Sequence, residues 1–150
     1  MTKEKPMAQG YFEVTQEAGA ALFRRQIQGP IVMLNLLRFR DIADYSASPE
    51  LAPPEPISGR AAYQHYIDQT LPFLTATGGE IMFLGDGGQY LIGPQDERWD
   101  LVMLIRQNSL QDFMSFSSNE AYQVVLGHRT AALEDSRLLP LVEFPGHNIL

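Results

Sequence analysis

From Ile31 to Phe39 the chain is apolar on both sides of an extended backbone. Val32, Leu34 and Leu36 point one way, and Ile31, Met33, Leu37 and Phe39 point the other. This is a strand that needs cover on both faces. Ahead of it, Thr15 to Gln28 reads as a helix capped by Thr15. Ala18, Ala21, Leu22 and Ile27 form its apolar side, Arg24 and Arg25 face solvent, and Gly29-Pro30 stops it. Gly59 to Thr77 puts Ala62, Tyr63, Tyr66, Ile67, Thr70, Leu71 and Leu74 on one arc. Pro72 is expected to kink this helix or end it early, and Gly78-Gly79 to stop it. Ile81 to Leu84 reads as a strand, Gly85-Asp86-Gly87-Gly88 as a turn and Gln89 to Ile92 as the return arm of a hairpin. Trp99 to Arg106 is another strand. Ser109 and Asp112 open a short helix carrying Phe113 and Phe116. Ser117 and Glu120 fit a capping box for a helix from Ser118 to Leu133, and Arg137 to Phe144 is the last strand.

Two echoes fix the architecture. Val32-Met33-Leu34 recurs as Val102-Met103-Leu104, and Ala62-Tyr63-Gln64 recurs as Ala121-Tyr122-Gln123. Strand and helix are thus used twice. Two strand–helix–strand units joined by a hairpin, each filling the gap in the other, give the split βαβ, or ferredoxin-like, α+β fold. Its order is βαββαβ with a four-stranded antiparallel sheet, here with an extra N-terminal helix. Helices then cover one sheet face. The other face, equally apolar, is covered either by the N-terminal helix or by a second copy; a homodimer with sheets face to face is the simpler solution.

Length and composition narrow the rest. At 150 residues the chain is expected to be a single domain, 1–150, with an N-terminal extension over 1–30 and a proline-rich loop over 41–58. That loop holds Pro49, Pro53, Pro54 and Pro56, and reads either as a lid or arm, or as a floppy surface loop. A net charge of -7 argues against nucleic acid. No run approaches the length of a membrane span, and MTKEKPMAQG has no apolar core of a secretory signal. The chain has no cysteine, which excludes disulfides and thiolate zinc and suits a cytoplasmic location.

The segments VMLNLLRFRD, AAYQHY, GGE before a strand, WDLVMLI and NEAYQVVLGHRTAALEDSRL together resemble domain-of-unknown-function family 1330, within the dimeric α+β barrel superfamily. The resemblance spans Ile31 to Phe144; the proline-rich loop and N-terminal helix are additions to the shortest members. It implies a ferredoxin-like dimer. The superfamily holds cofactor-free monooxygenases, isomerases, haem-dependent enzymes and proteins without known activity, so the fold does not choose a reaction.

Candidate chemistry rests on a few side chains. Asn35, an amide in mid-strand, either orients a ligand or bonds a nearby backbone. Arg38, near the strand end, either holds a carboxylate or enolate, or pairs with Asp41, Asp44 or a partner's carboxylate. His128, at the edge of a buried helical arc, is a candidate general base. Arg129 beside it either holds an anion or pairs with Asp135 or Glu134. Tyr66 can turn its hydroxyl into a pocket, and Trp99 can wall one. Asp135 and Arg137 read as a corner lock, and His65 as solvated. His65, His128 and His147 lack metal-ligand spacing, and no nucleotide fingerprint occurs. No metal or cofactor is therefore expected; only a haem reading, with His128 as proximal ligand, would need one.

Two functions follow. One is a small enzyme or binding protein with a sheet–helix pocket lined by Asn35, Tyr66, Trp99, His128 and Arg129. It would take a small organic acid or aromatic ligand and do cofactor-free isomerisation or oxygenation, with Asn35 and His128 as catalytic groups. The other is a non-catalytic dimeric interaction module.

Overall fold

The computed structural model describes residues 10–150; the first part of the N-terminal extension lies outside the described residues. The elements run α1 (Gln16–Arg24), β1 (Ile31–Phe39), α2 (Gly59–Ala76), β2 (Glu80–Gln89), β3 (Arg98–Gln107), α3 (Leu110–Ser117), α4 (Glu120–Ala132) and β4 (Leu133–Leu141). The four strands form one antiparallel sheet in the order β2-β3-β1-β4. This is the ferredoxin-like arrangement. The two echoed strands are neighbours: Leu34 sits opposite Leu104, and Asn35 opposite Met103.

One sheet face carries the core. Leu37, Phe39, Leu101 and Met103 pack with Ala62, Tyr63 and Tyr66 from α2 and Tyr122, Val125 and Ala132 from α4. Leu37 and Leu133 are fully enclosed, and each such side chain contributes about 1.5–3 kcal/mol. Small residues let α2 approach closely. A Cβ on Gly59 would lie 2.2 Å from the Arg40 carbonyl oxygen and 2.7 Å from that of Ala132.

The opposite face carries Val32, Leu34 and Leu36 from β1, with Leu104, Phe83 and Leu139 in register beside them. Phe83 and Leu139 are about half exposed, at 52% and 53%. The N-terminal helix does not close this face: α1 has no buried residue.

Several elements differ from expectation. β2 does not turn at Gly85-Asp86-Gly87-Gly88 but runs through it, with Gly85 opposite Val102 and Gly88 opposite Trp99. A Cβ on Gly87 would meet the Trp99 carbonyl oxygen at 2.1 Å, so the glycine admits a neighbouring strand rather than a bend. The connection follows Gln89 instead, where Leu91 and Ile92 are wholly exposed and Gly93 has φ 155°. Gln89 to Ile92 is therefore not a return arm; β3 is. Pro72 does not end α2 early, because its missing N–H falls on an exposed side where water can serve the freed carbonyl. Ser117 closes α3 rather than capping α4. Asn119 is the cap, its side chain accepting from the Tyr122 N–H at 3.0 Å. β4 begins at Leu133, directly after α4, not at Arg137. The proline-rich loop has structure of its own: Ile42 bridges to Ser58, and Pro49–Leu51 forms a single 3-10 turn.

Candidate functional site

The candidate residues fall into three clusters. The first lies between sheet and helices. α2 presents Tyr63 and Tyr66 inward, and α4 presents Tyr122 at the equivalent point of its repeat. The Tyr66 and Tyr122 hydroxyls lie 2.6 Å apart, and the Tyr63 hydroxyl donates to the Met103 sulfur at 3.6 Å. Burial raises the pKa of all three phenols, so they stay protonated; in Tyr122 the neighbouring Tyr66 adds to the rise, and the Arg129 cation opposes it in each. Arg129 reaches from α4 to β4, donating through Nη2 to Ser136 Oγ at 3.3 Å and through Nη1 to the Phe12 carbonyl at 3.0 Å. Its partners are thus neutral oxygens, not the expected Asp135 or Glu134. Asn35 donates to the Met33 carbonyl at 3.3 Å on the same sheet face.

A cavity of about 30 Å³ opens beside Tyr66, walled by Ile67, Thr70, Leu71, Ile81 and Phe116. It has room for one or two waters. The Thr70 hydroxyl is buried there without a hydrogen-bond partner. Of the five residues expected to line a common pocket, only Tyr66 reaches this cavity; Asn35, Trp99, His128 and Arg129 do not.

The second cluster surrounds His128, on the side of α4 that meets the proline-rich loop. Its Nδ1 is 2.7 Å from the Tyr45 hydroxyl and its Nε2 3.3 Å from the Gln69 amide nitrogen. The His65 ring lies 5.7 Å away, so His65 is exposed but not isolated. Burial first, and His65 second, lower the His128 pKa. Both ring nitrogens are taken up by protein, and neither faces the Tyr66 cavity. A helical wheel places His128 at a buried edge but does not show that a loop more than eighty residues earlier in sequence supplies its partner.

The third cluster joins the ends of β1, β3 and β4. The Arg137 guanidinium lies 4.7 Å from the Tyr11 ring centroid and 5.0 Å from that of Trp99; Arg38 approaches the same indole at 5.8 Å. Trp99 Nε1 donates to the Tyr90 hydroxyl at 2.7 Å. Arg38 pairs with Glu134 at 3.7 Å and Asp135 at 3.6 Å, not with Asp41 or Asp44. The corner lock forms, with Arg137 Nη1 2.7 Å from Asp135 Oδ1. Burial would raise the Asp135 pKa, but the Tyr11 N–H, the Arg137 guanidinium and the Ser136 N–H outweigh it and hold it low. Among the described residues, no three His, Asp or Glu side chains cluster as metal ligands would, and no helix is long and apolar enough to cross a membrane.

The sequence patterns single out none of Tyr11, Tyr45, Gln69 and Ser136 as partners in these clusters. The repeated Ala-Tyr-Gln equates Tyr122 with Tyr63, not with Tyr66, the residue whose hydroxyl it meets.

No protein-family model matches the chain, and no curated protein does. Solved structures do. A crystal structure of methylated RPA0582 protein superposes with a TM-score of 0.80 at 34% identity, covering 93% of this chain and 98% of that one. A second, of the RPA0582 protein of unknown function from Rhodopseudomonas palustris, gives 0.76 at 36% identity, covering 91% and 99%. At that identity over nearly the whole of both chains, this protein belongs to the family of the Rhodopseudomonas palustris RPA0582 protein, whose function is unknown.

Proposed function

We propose that the protein is a cytoplasmic homodimer that binds a small organic or aromatic acid in the layer between the sheet and helices α2 and α4. The observation that carries this reading is the buried Tyr66–Tyr122 hydroxyl pair, 2.6 Å apart and within the field of the Arg129 cation. Of two phenols kept protonated by burial, one donates to the other and the second keeps its proton for an oxyanion, and a guanidinium is the natural partner of a carboxylate. Both cofactor-free isomerisation and cofactor-free oxygenation pass through such an anion. The dimer follows from the uncovered apolar sheet face, which a second copy would cover with its own. The resemblance to domain-of-unknown-function family 1330 agrees with the dimer and is silent on the ligand. The small size of the cavity favours a second reading, the non-catalytic dimeric module.

Calorimetric titration separates the two. Benzoate is expected to bind and its neutral counterpart, benzyl alcohol, to bind at least ten-fold more weakly. Arg129→Gln should abolish benzoate binding, and Tyr122→Phe should weaken it several-fold. Equal binding of acid and alcohol, or no binding of either, overturns the ligand reading and leaves the module.

A further inference from the structure

The residues before α1 cross the end of the layer beside Arg129. Gly10, Tyr11 and Phe12 form a strap against β4. The Tyr11 N–H donates to Asp135 Oδ1 at 2.8 Å, the Ser136 hydroxyl donates to the Tyr11 carbonyl, and Arg129 Nη1 donates to the Phe12 carbonyl at 3.0 Å. Two donors from different elements, one of them a cation, thus converge on two adjacent main-chain carbonyl oxygens. Among the described residues no carboxylate lies within ion-pair distance of Arg129. A half-buried guanidinium served only by neutral carbonyl and hydroxyl oxygens is under-paired; a carboxylate would give shorter, charge-assisted bonds to the same donors.

The strap is also lightly held. Tyr11 is 67% exposed, and its ring lies against the Arg137 guanidinium at the surface. The helix that follows buries none of its residues, and Arg25, just past its end, adds one hydrogen bond, to the Pro140 carbonyl at 3.2 Å. A segment held by a few polar contacts rather than apolar burial opens at little cost. Its seat is nonetheless specific. A Cβ on Gly10 would lie 2.4 Å from the Glu134 carbonyl oxygen, so only glycine lets the strap lie flat.

We propose that Gly10–Phe12 is a removable plug of a carboxylate site made by Arg129 and Ser136, with the Tyr11 and Phe12 carbonyls standing where the oxygens of a small organic acid bind. This deepens the ligand reading above and rests on it. The acid competes with the strap, so its apparent affinity is the intrinsic affinity reduced by the fraction of molecules with the strap lifted.

The test uses the full chain and benzoate. Gly10→Ala, which unseats the strap, should bind benzoate about ten-fold more tightly than the wild type, and adding Arg129→Gln should abolish binding. Independently of any variant, benzoate should speed hydrogen exchange of the wild type's Tyr11 amide, which Asp135 holds when the strap is seated. If Gly10→Ala leaves the affinity unchanged, or if benzoate binds while the Tyr11 amide stays protected, the plug is wrong and the ligand site stands. If benzoate binds to neither protein, both are wrong.

Discussion

The hydroxyl oxygens of Tyr66 and Tyr122 lie 2.6 Å apart at the interface of α2 and α4. Each residue sits on the inward face of its helix, and the two are 56 positions apart in the chain. Each hydroxyl is buried, and each is the other's hydrogen-bond partner. Replacing Tyr122 by Phe strands the Tyr66 hydroxyl in the core. This should cost about 1–3 kcal/mol in urea unfolding. Replacing both by Phe should cost less than the sum of the single changes, because the second removes a group that has already lost its partner. Additive losses would show that the two hydroxyls are not coupled.

His128 gives an acid-side stability slope. Its folded pKa lies below the ordinary imidazole value of 6.5 because burial, aided by His65, disfavours the imidazolium. The unfolded chain therefore binds the proton more readily, and the free energy of unfolding is full above about pH 6.5 and falls as pH drops toward the folded value. Denaturant unfolding at pH 7.5 and pH 5.5 should show the wild type weaker at the lower pH. His128→Gln should flatten that difference. A slope unchanged in the variant would place its origin elsewhere.

Asp135 acts in a lower window. Its folded pKa lies below the ordinary aspartate value of 3.8, so its contribution is present above that pH and is lost as the carboxylate protonates below it. Asp135→Asn keeps the shape but removes the charge that Arg137 and Arg38 face. Loss of about 1–3 kcal/mol at pH 7 is expected, with a weaker acid transition below pH 4. A variant as stable as the wild type would mean that the two arginines are satisfied without it.

The uncovered sheet face is tested by charge. Leu36 lies at its centre, opposite Val102 on β3 and Arg137 on β4. In a face-to-face dimer Leu36→Asp places a carboxylate from each copy in an apolar interface. Sedimentation should then read a dimer for the wild type and a monomer with unchanged circular dichroism for the variant. A wild type that sediments as a monomer ends the dimer reading.

How far the sequence could be read depended on where each residue's partner lies. β1 was legible because its apolar alternation and the repeat at Val102 are local patterns, and the pairing of Leu34 with Leu104 turns them into adjacent strands. The Gly85–Gly88 stretch was misread because its reason is a neighbour: the Trp99 carbonyl passes too close for a side chain. The same holds at the sites. Arg129 looked ready for Asp135, a few residues on, but meets Phe12, 117 positions away, while Asp135 is taken by Arg137 and Tyr11. Helical spacing shows which face a residue occupies, whereas the chemistry was set by loops and straps that carry no period.

The register shift in β2 between Ile81 and Phe83 has a consequence for the protein's life in a crowded solution. β2 is an outer strand of the sheet, ten residues long, with Met82, Phe83 and Leu84 all exposed. A flat strand of that kind would offer an uninterrupted row of N–H and C=O groups to any extended chain that met it. The bulge breaks the row early, and Glu80 and Asp86 flank the apolar stretch with charge. Beyond the bulge only Phe83 to Gln89 stays regularly spaced, and three of those seven residues are glycines and one is Asp86, so this edge is a poor template for fibre growth.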